Sequence, residues 1–141
     1  QVAQLLIDQS QADISTLSTP IESLDEFLNP NIVKVVSTHA GQALYFSRAP
    51  IPWHRDSATD GLSSQKEFRG SHRHLGIYGY RVGALLKLTQ LPASTLETTE
   101  SLEQLRALQA GMTIAIATAN QKPGMGIDTP QDLERIRLQF T

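Results

Sequence analysis

The segment HLGIYGY at residues 74–80 constrains the fold most, because its side chains alternate as they do along a β-strand. Alternation puts four residues on one face: His74, Gly76, Tyr78 and Tyr80. Leu75 and Ile77 are predicted to point the other way, toward a core. The first face offers hydrogen-bonding tips around a glycine, which leaves room for a ligand to approach the backbone. The alternative is a half-buried strand whose polar tips face water.

Strand and helix patterns follow one another along the rest of the chain. Further strands are predicted at residues 13–18, 32–38, 43–47 and 112–117, and helices at the first residues and at 23–28, 83–90, 95–109 and 129–140. A tight turn at residues 39–41 is expected to join two of these strands into a hairpin. Interleaved strands and helices predict an α/β fold with a mixed, mostly parallel sheet flanked by helices.

Residues 49–72 interrupt this alternation with prolines, glycines, serines and aspartates. Loops longer than about 12–15 residues are uncommon inside a compact domain and are often functional. We expect an excursion that covers a site or reaches a partner subunit. A disordered surface loop is the alternative.

Composition excludes several classes of protein. The 141 residues carry 12 Lys and Arg against 14 Asp and Glu, so there is no basic excess of the kind that binds nucleic acid. With no cysteine, disulfides and cysteine-ligated zinc are excluded, and the chain is compatible with the cytoplasm. No apolar run approaches the ~20 residues that cross a bilayer, so no membrane association is expected.

Five segments together resemble one enzyme family, and they occur in that family's order. They lie at residues 29–36 (NPNIVKVV), 43–48 (ALYFSR), 74–80, 101–106 (SLEQLR) and 123–130 (PGMGIDTP). The chain is similar to the C-terminal part of 3-deoxy-manno-octulosonate cytidylyltransferases, the CMP-Kdo synthetases. The resemblance implies a nucleotide-diphospho-sugar transferase-like fold with a hairpin and long-loop excursion.

Two segments typical of that family do not occur in this sequence: a nucleotide loop of the type R-x-x-S-x-R-L-P-x-K and a later G-D-E-P segment. We therefore expect residues 1–141 to be the C-terminal part of a single α/β nucleotidyltransferase domain. This part would bind the sugar and form the dimer, and it would be inactive alone.

The resemblance implies that the enzyme activates the sugar acid Kdo with CTP, giving CMP-Kdo and pyrophosphate for lipopolysaccharide biosynthesis. It also implies Mg²⁺ as cofactor, a homodimer and a cytoplasmic location. Two alternatives stay open. As it stands, the chain is a non-catalytic sugar-binding and dimerisation fragment, or it belongs to a cytidylyltransferase for a related sugar acid.

Asp128 is the candidate metal ligand and a candidate catalytic residue. It follows a glycine-rich turn and precedes a predicted helix, where a carboxylate can accept from free amides. A plain turn and capping aspartate would show the same pattern. The resemblance implies that Asp128 is a magnesium ligand, and that its partner ligand comes from the other half of the enzyme.

Arg48 is the second candidate catalytic residue and a candidate substrate-binding residue. It ends a predicted strand, and a guanidinium can bind a planar carboxylate through two hydrogen bonds. An ion pair with a nearby glutamate is the alternative. The resemblance, carried by Ser47, Arg48 and Ala49, implies that Arg48 binds the carboxylate of the sugar acid.

The remaining candidate substrate-binding residues are His74, Tyr78, Glu100 and Gln104. His74 and Tyr78 match the family's sugar-binding strand. Glu100 and Gln104 are one turn apart on the predicted helix and would be neighbours on its surface, where a solvated face is the alternative. The pattern leaves open whether Glu100, Glu103 or Gln104 contacts the sugar.

Overall fold

The computed structural model describes residues 1–121 together with Glu134, Arg137 and Leu138. Five strands are present in this part of the chain: β1 (Ile14–Pro20), β2 (Lys34–Ser37), β3 (Ala43–Ser47), β4 (His72–Tyr80) and β5 (Ile114–Thr118). The helices there are α1 (Val2–Asp8), α2 (Leu24–Leu28), α3 (Val82–Gln90), α4 (Thr95–Glu100) and α5 (Gln104–Gln109). Asp128, the segment at 123–130 and most of the predicted last helix lie outside the described residues. Within the described part, no helix has the length and apolar character to cross a bilayer.

The strands form one mixed sheet in the order β3-β2-β4-β1-β5. This confirms the α/β class and the predicted hairpin of β2 and β3. The expectation of mostly parallel pairing is wrong for the described strands, because only β1 and β5 run parallel. The tight turn makes β2 and β3 antiparallel, and β4 runs against both of its neighbours. The turn also reaches the opposite edge strand, since Gln42 bridges Ala115.

Helices cover both faces of the sheet. The larger core lies on the side of α3, α4 and α5, where Phe46, Leu105 and Ile114 are fully buried. Helix α1 packs on the opposite face through Leu6, which meets Ala115. The main core is therefore closed by the same helices whose ends carry the candidate residues Glu100 and Gln104.

A β-bulge interrupts β4. Leu17 of β1 pairs with Leu75, but the preceding Thr16 pairs with Tyr78, so Gly76 and Ile77 have no partner in β1. Leu75 is buried as predicted, whereas the prediction of a core position for Ile77 is wrong, since its side chain is 55% exposed. The bulge is the reason, because it takes Ile77 out of the paired part of the strand.

The predicted helix at 95–109 is two helices. Ser94 is the N-cap of α4 and forms a capping box with Glu97. Ser101 is the C-cap, and its φ of 54° is left-handed. The chain then buries Leu102 in the main core before α5 begins. Glu100 and Gln104 are therefore not surface neighbours on one helix, and that prediction is wrong.

An ion pair joins the two short helices across this break. Arg106 of α5 donates from Nε to Glu97 at 2.7 Å, and its Nη2 forms a second bond to the same carboxylate. Arg106 and the Ser94 N–H hold the pKa of Glu97 down at about 2. The pair therefore stays charged at neutral pH and fixes α4 against α5.

The long segment at 49–72 folds back on itself through polar side chains. It contains two short 3₁₀ turns, Arg55–Ser57 and Leu62–Ser64. Gln65 is buried and accepts a hydrogen bond of 2.8 Å from the hydroxyl of Ser57. The role predicted for this segment, covering a site or reaching a partner subunit, stays a prediction.

Lys34 ties three parts of the chain together from inside the fold. Its side chain is fully buried in β2, and the ammonium group donates to the carbonyls of Asn29 (2.9 Å), Ile32 (2.6 Å) and Arg48 (2.6 Å). An ammonium has three N–H donors, so all of them are used. Burial and the nearby Arg48 lower the pKa of Lys34 to about 8, against the opposing effect of Glu100.

We expect Lys34→Met to reduce the free energy of unfolding by about 2–4 kcal/mol, because it leaves buried carbonyls without donors. Urea denaturation measures the loss. Lys87→Met on the exposed face of α3 is the matched control and should change stability by less than about 0.5 kcal/mol. Equal stabilities of the two variants would contradict a structural role for Lys34.

Gly79 is required by the close approach of α1 to the sheet. A Cβ at Gly79 would lie 2.6 Å from the Ser15 hydroxyl, which donates to Val2. We expect Gly79→Ala to destabilise the protein by about 1–3 kcal/mol. Gly83→Ala in α3, where a Cβ meets nothing within 4 Å, should instead be neutral or stabilising. Thermal unfolding of both variants tests this, and a neutral Gly79→Ala would contradict it.

Candidate functional site

A cavity of about 180 Å³ opens between strand β4 and the break after helix α4. Its lining comes from both sides of that break and from the sheet: Ile14, Tyr78, Tyr80, Leu88, Ser101, Leu102, Glu103 and Gln104. The cavity therefore combines apolar walls with phenol, carboxylate and amide groups. A second cavity of about 280 Å³ adjoins it and shares Tyr80, Leu88 and Glu103.

One row of rings forms the β4 side of the site. The ring centroids of His74 and Tyr78 are 5.3 Å apart, and those of Tyr78 and Tyr80 are 5.7 Å apart. The buried Phe46 meets His74 edge-on at 4.8 Å. This confirms that the histidine and the two tyrosines share a face. A Cβ at Gly76 would meet nothing within 4 Å, but Gly76 lies in the bulge, so its predicted place on this face stays a prediction.

Burial keeps the ionisable groups of this row neutral. It lowers the pKa of His74 to about 4 and raises that of Tyr78, which Tyr80 and Glu103 raise further. At neutral pH the imidazole and the phenol are therefore uncharged. Such groups exchange hydrogen bonds with hydroxyl-bearing ligands and are poorly suited to general acid–base catalysis at this pH.

Thr16 of β1 supports the imidazole from behind. Its Oγ1 lies 2.8 Å from Nε2 of His74 and also contacts the carbonyl oxygens of Leu75 (3.1 Å) and Ile77 (2.9 Å). Both carbonyls belong to the bulged part of β4. The bulge and Thr16 together determine where the ring lies.

Arg48 and Glu100 form a separate charged junction at the end of β3. The Glu100 carboxylate accepts from the Ser47 hydroxyl at 2.6 Å and from the Arg48 N–H at 2.9 Å. The Arg48 guanidinium donates to three carbonyls, those of Glu100 (2.7 Å), Pro30 (3.0 Å) and Ser101 (3.3 Å). The nearby Lys34 binds the carbonyl of Arg48 itself.

The structure thus divides the predicted site residues into two groups. Tyr78 and Gln104 line the cavity, with His74 beside Tyr78, whereas Arg48 and Glu100 lie in the junction and outside the lining. Ser101 belongs to both groups, because its carbonyl accepts from Arg48 while the residue lines the cavity.

Three polar lining residues were not among the predicted site residues: Tyr80, Ser101 and Glu103. Strand alternation had already placed Tyr80 on the correct face, so a signal for it existed. Glu103 was one of three alternatives on the predicted helix. Ser101 begins the SLEQLR segment of the family resemblance, but its place in the lining depends on the helix break, which the local pattern did not show.

Among the described residues, 1–121, 134, 137 and 138, there is no cluster that could hold a metal ion through three or more His, Cys, Asp or Glu ligands. Carboxylates that bind Mg²⁺ usually do so together with water and substrate phosphate. Asp128, the predicted ligand, lies outside the described residues.

Two relatives resemble almost the whole chain. It is 48% identical over 136 residues to the 3-deoxy-manno-octulosonate cytidylyltransferase of Thioalkalivibrio sulfidiphilus (strain HL-EbGR7), covering 96% of this chain and 54% of that protein. It is 49% identical over 143 residues to the enzyme of the same name from Xanthomonas campestris pv. campestris (strain 8004), covering 99% and 55%. The chain therefore spans about half the length of these relatives.

A solved structure shares the fold. The structure of CMP:2-keto-3-deoxy-manno-octonic acid synthetase complexed with CTP matches with a TM-score of 0.81 and 37% identity, over 99% of this chain and 53% of that one. A family model described as cytidylyltransferase matches residues 1–114. Because that match spans more than half of the sequence, the chain belongs to the cytidylyltransferase family.

Proposed function

We propose that this chain is the sugar-binding part of an enzyme that transfers a cytidylyl group from CTP to Kdo. The products are pyrophosphate and CMP-Kdo, and CMP-Kdo is used for lipopolysaccharide biosynthesis. The proposed enzyme is a homodimer in the cytoplasm. One observation carries the proposal: a hydrogen-bonding cavity lies against the HLGIYGY strand of a chain that belongs to the cytidylyltransferase family.

The cavity suits a sugar because it offers hydrogen-bond donors and acceptors beside aromatic faces. Tyr78 presents a phenol, Gln104 an amide, and Glu103 a carboxylate that can accept from hydroxyl groups. Gln104 is only 8% exposed, so its amide is held in place by its surroundings. The adjoining cavity extends the room available to a ligand longer than a six-membered ring.

The carboxylate of the sugar acid is proposed to lie toward Arg48. A guanidinium has five N–H donors, and the three carbonyl contacts leave further N–H groups on Nη1 and Nη2. Lys34 and Arg48 place two cations beside the single carboxylate of Glu100. This local excess of positive charge favours an anion, so Arg48 is retained as a candidate substrate-binding and catalytic residue.

In the proposed reaction an oxygen of the sugar attacks the α-phosphate of CTP, and the bond to pyrophosphate breaks. The described residues position the sugar for this attack and exclude water from part of its surface. Asp128 is the proposed ligand of magnesium on the strength of the sequence resemblance alone. No step is assigned to the ion, because Asp128 lies outside the described residues.

A second candidate function is a sugar-binding and dimerisation module without turnover. It is favoured by one observation, that the residues lining the cavity all belong to this chain. A third candidate, a cytidylyltransferase for a related sugar acid, differs only in the ligand. Competition between Kdo and a nine-carbon sugar acid separates it from the first.

The deciding experiment measures two quantities on the purified 141-residue chain. Calorimetry with Kdo measures binding, and pyrophosphate release with CTP, Kdo and Mg²⁺ measures turnover. We expect binding without turnover, and turnover once the chain is fused to the N-terminal half of the Xanthomonas relative. Turnover by the chain alone would contradict the module. Absence of both binding and fused turnover would overturn the proposed function.

We expect Tyr78→Phe to weaken Kdo binding about 5- to 10-fold, because it removes one hydrogen bond worth ~1 kcal/mol while keeping the ring packed between His74 and Tyr80. Calorimetry measures the loss. Tyr45→Phe is the matched control, since its hydroxyl contacts Glu100 at 3.4 Å and lies outside the cavity lining. Equal weakening by both variants would contradict a direct contact from Tyr78.

A further inference from the structure

We propose that Thr16 is a positioning residue that holds His74 in the tautomer with its hydrogen on Nε2. Nδ1 is then left as an acceptor, which takes a hydrogen bond from a hydroxyl group of the bound ligand. The second half of the proposal rests on the proposed sugar-binding function. The first half is a property of the protein alone and can be tested without any ligand.

The hydroxyl of Thr16 has more acceptors around it than it has hydrogens to donate. Thr16 is fully buried in β1, and its Oγ1 lies within 2.8–3.1 Å of three atoms: Nε2 of His74 and the carbonyl oxygens of Leu75 and Ile77. The two carbonyls can only accept. A threonine hydroxyl carries one hydrogen, so that hydrogen must serve the carbonyls.

Only one tautomer gives every contact a hydrogen. With hydrogen on Nε2, His74 donates to Thr16 Oγ1, and the hydroxyl hydrogen is shared between Leu75 and Ile77. With hydrogen on Nδ1 instead, Nε2 becomes a third acceptor, and one hydrogen faces three lone pairs at close range. Buried acceptors that lack a hydrogen are costly, so the first arrangement is favoured.

A doubly protonated ring would avoid the choice, but burial disfavours it. The lowered pKa of His74, about 4, leaves the ring neutral at neutral pH, with a single hydrogen to place. Phe46 packs edge-on at 4.8 Å and Tyr78 lies at 5.3 Å, so the ring is also fixed in orientation. The bulge is the origin of the arrangement, because it brings two carbonyls of β4 to one hydroxyl of β1.

The proposed tautomer determines which ligand groups can form a hydrogen bond with His74. Within the described part of the chain, Nδ1 of His74 has no hydrogen-bond partner, and as a lone pair it accepts but does not donate. A hydroxyl can satisfy it, whereas a carboxylate or phosphate oxygen would be repelled. The ligand would therefore turn a hydroxyl toward His74 and its carboxylate elsewhere.

Nitrogen NMR of the ¹⁵N-histidine-labelled 141-residue chain tests the tautomer, because protonated and unprotonated ring nitrogens resonate far apart. His74→Gln identifies the His74 signals among the four histidines. We expect the unprotonated signal at Nδ1 in the wild type and in Thr16→Ser. We expect a shift toward the other tautomer in Thr16→Val. Thr19→Val on the same strand is the matched control and should leave the His74 signals in place.

A wild-type His74 with hydrogen on Nδ1 would overturn the tautomer. A Thr16→Val ring that keeps the wild-type signals would overturn the positioning role of Thr16. The wild-type spectrum and Thr16→Ser decide the question even if Thr16→Val fails to fold. Titration with Kdo tests the acceptor role and should move the Nδ1 signal upon hydrogen bonding. An unmoved signal with the expected tautomer would overturn the acceptor role and count against the proposed sugar site, leaving the tautomer standing.

Discussion

The buried ammonium of Lys34 is the interaction on which the site end of the structure depends. Three carbonyls converge on it, one from the end of α2, one from the following loop and one from the end of β3. An unpaired buried charge would be very unfavourable, so these three segments must stay together for Lys34 to stay inside. Since the third carbonyl belongs to Arg48, the same interaction fixes the backbone from which the guanidinium extends.

The contacts of Arg48 also stabilise the break between α4 and α5. Arg48 reaches the carbonyls of Glu100 and Ser101, while the Glu100 carboxylate returns to the Arg48 N–H and the Ser47 hydroxyl. These bonds satisfy carbonyls at the end of α4 that have no partner inside the helix. The left-handed turn at Ser101 is thereby stabilised, and α5 starts in a new direction with Gln104 facing the cavity.

Sequence patterns predicted what local interactions determine. The strand alternation that puts His74, Tyr78 and Tyr80 on one face, the hairpin turn and the α/β class depend on neighbours in sequence, and all were confirmed. Two predictions were wrong for the same reason: the continuous helix at 95–109 and the core position of Ile77. Glu100 binds Ser47, 53 residues away, and the bulge at Ile77 is held by Thr16, 61 residues away. Local periodicity carries no information about such contacts.

The prediction of mostly parallel strands was wrong for a different reason. Interleaved helices and strands favour parallel pairing, and among the described strands β1 and β5 pair in this way, although β2, β3 and β4 lie between them in the chain. β4 lies between β1 and β2 in the sheet and runs against both, which no local pattern specifies. Pairing partners are chosen by tertiary packing, so this part of the fold required the structure itself.

The site that results has two parts of opposite character. At the end of β3 the groups are charged and tied to backbone, whereas along β4 the imidazole and the phenols are neutral at pH 7, the form that burial favours. A ligand complementary to both parts carries an anionic group at one end and hydroxyl groups along the rest. Ser101 contacts Arg48 and lines the cavity, so the two parts are adjacent through a single residue. A sugar acid has this distribution of groups, which is why the division of the site supports the proposed ligand better than any one residue does.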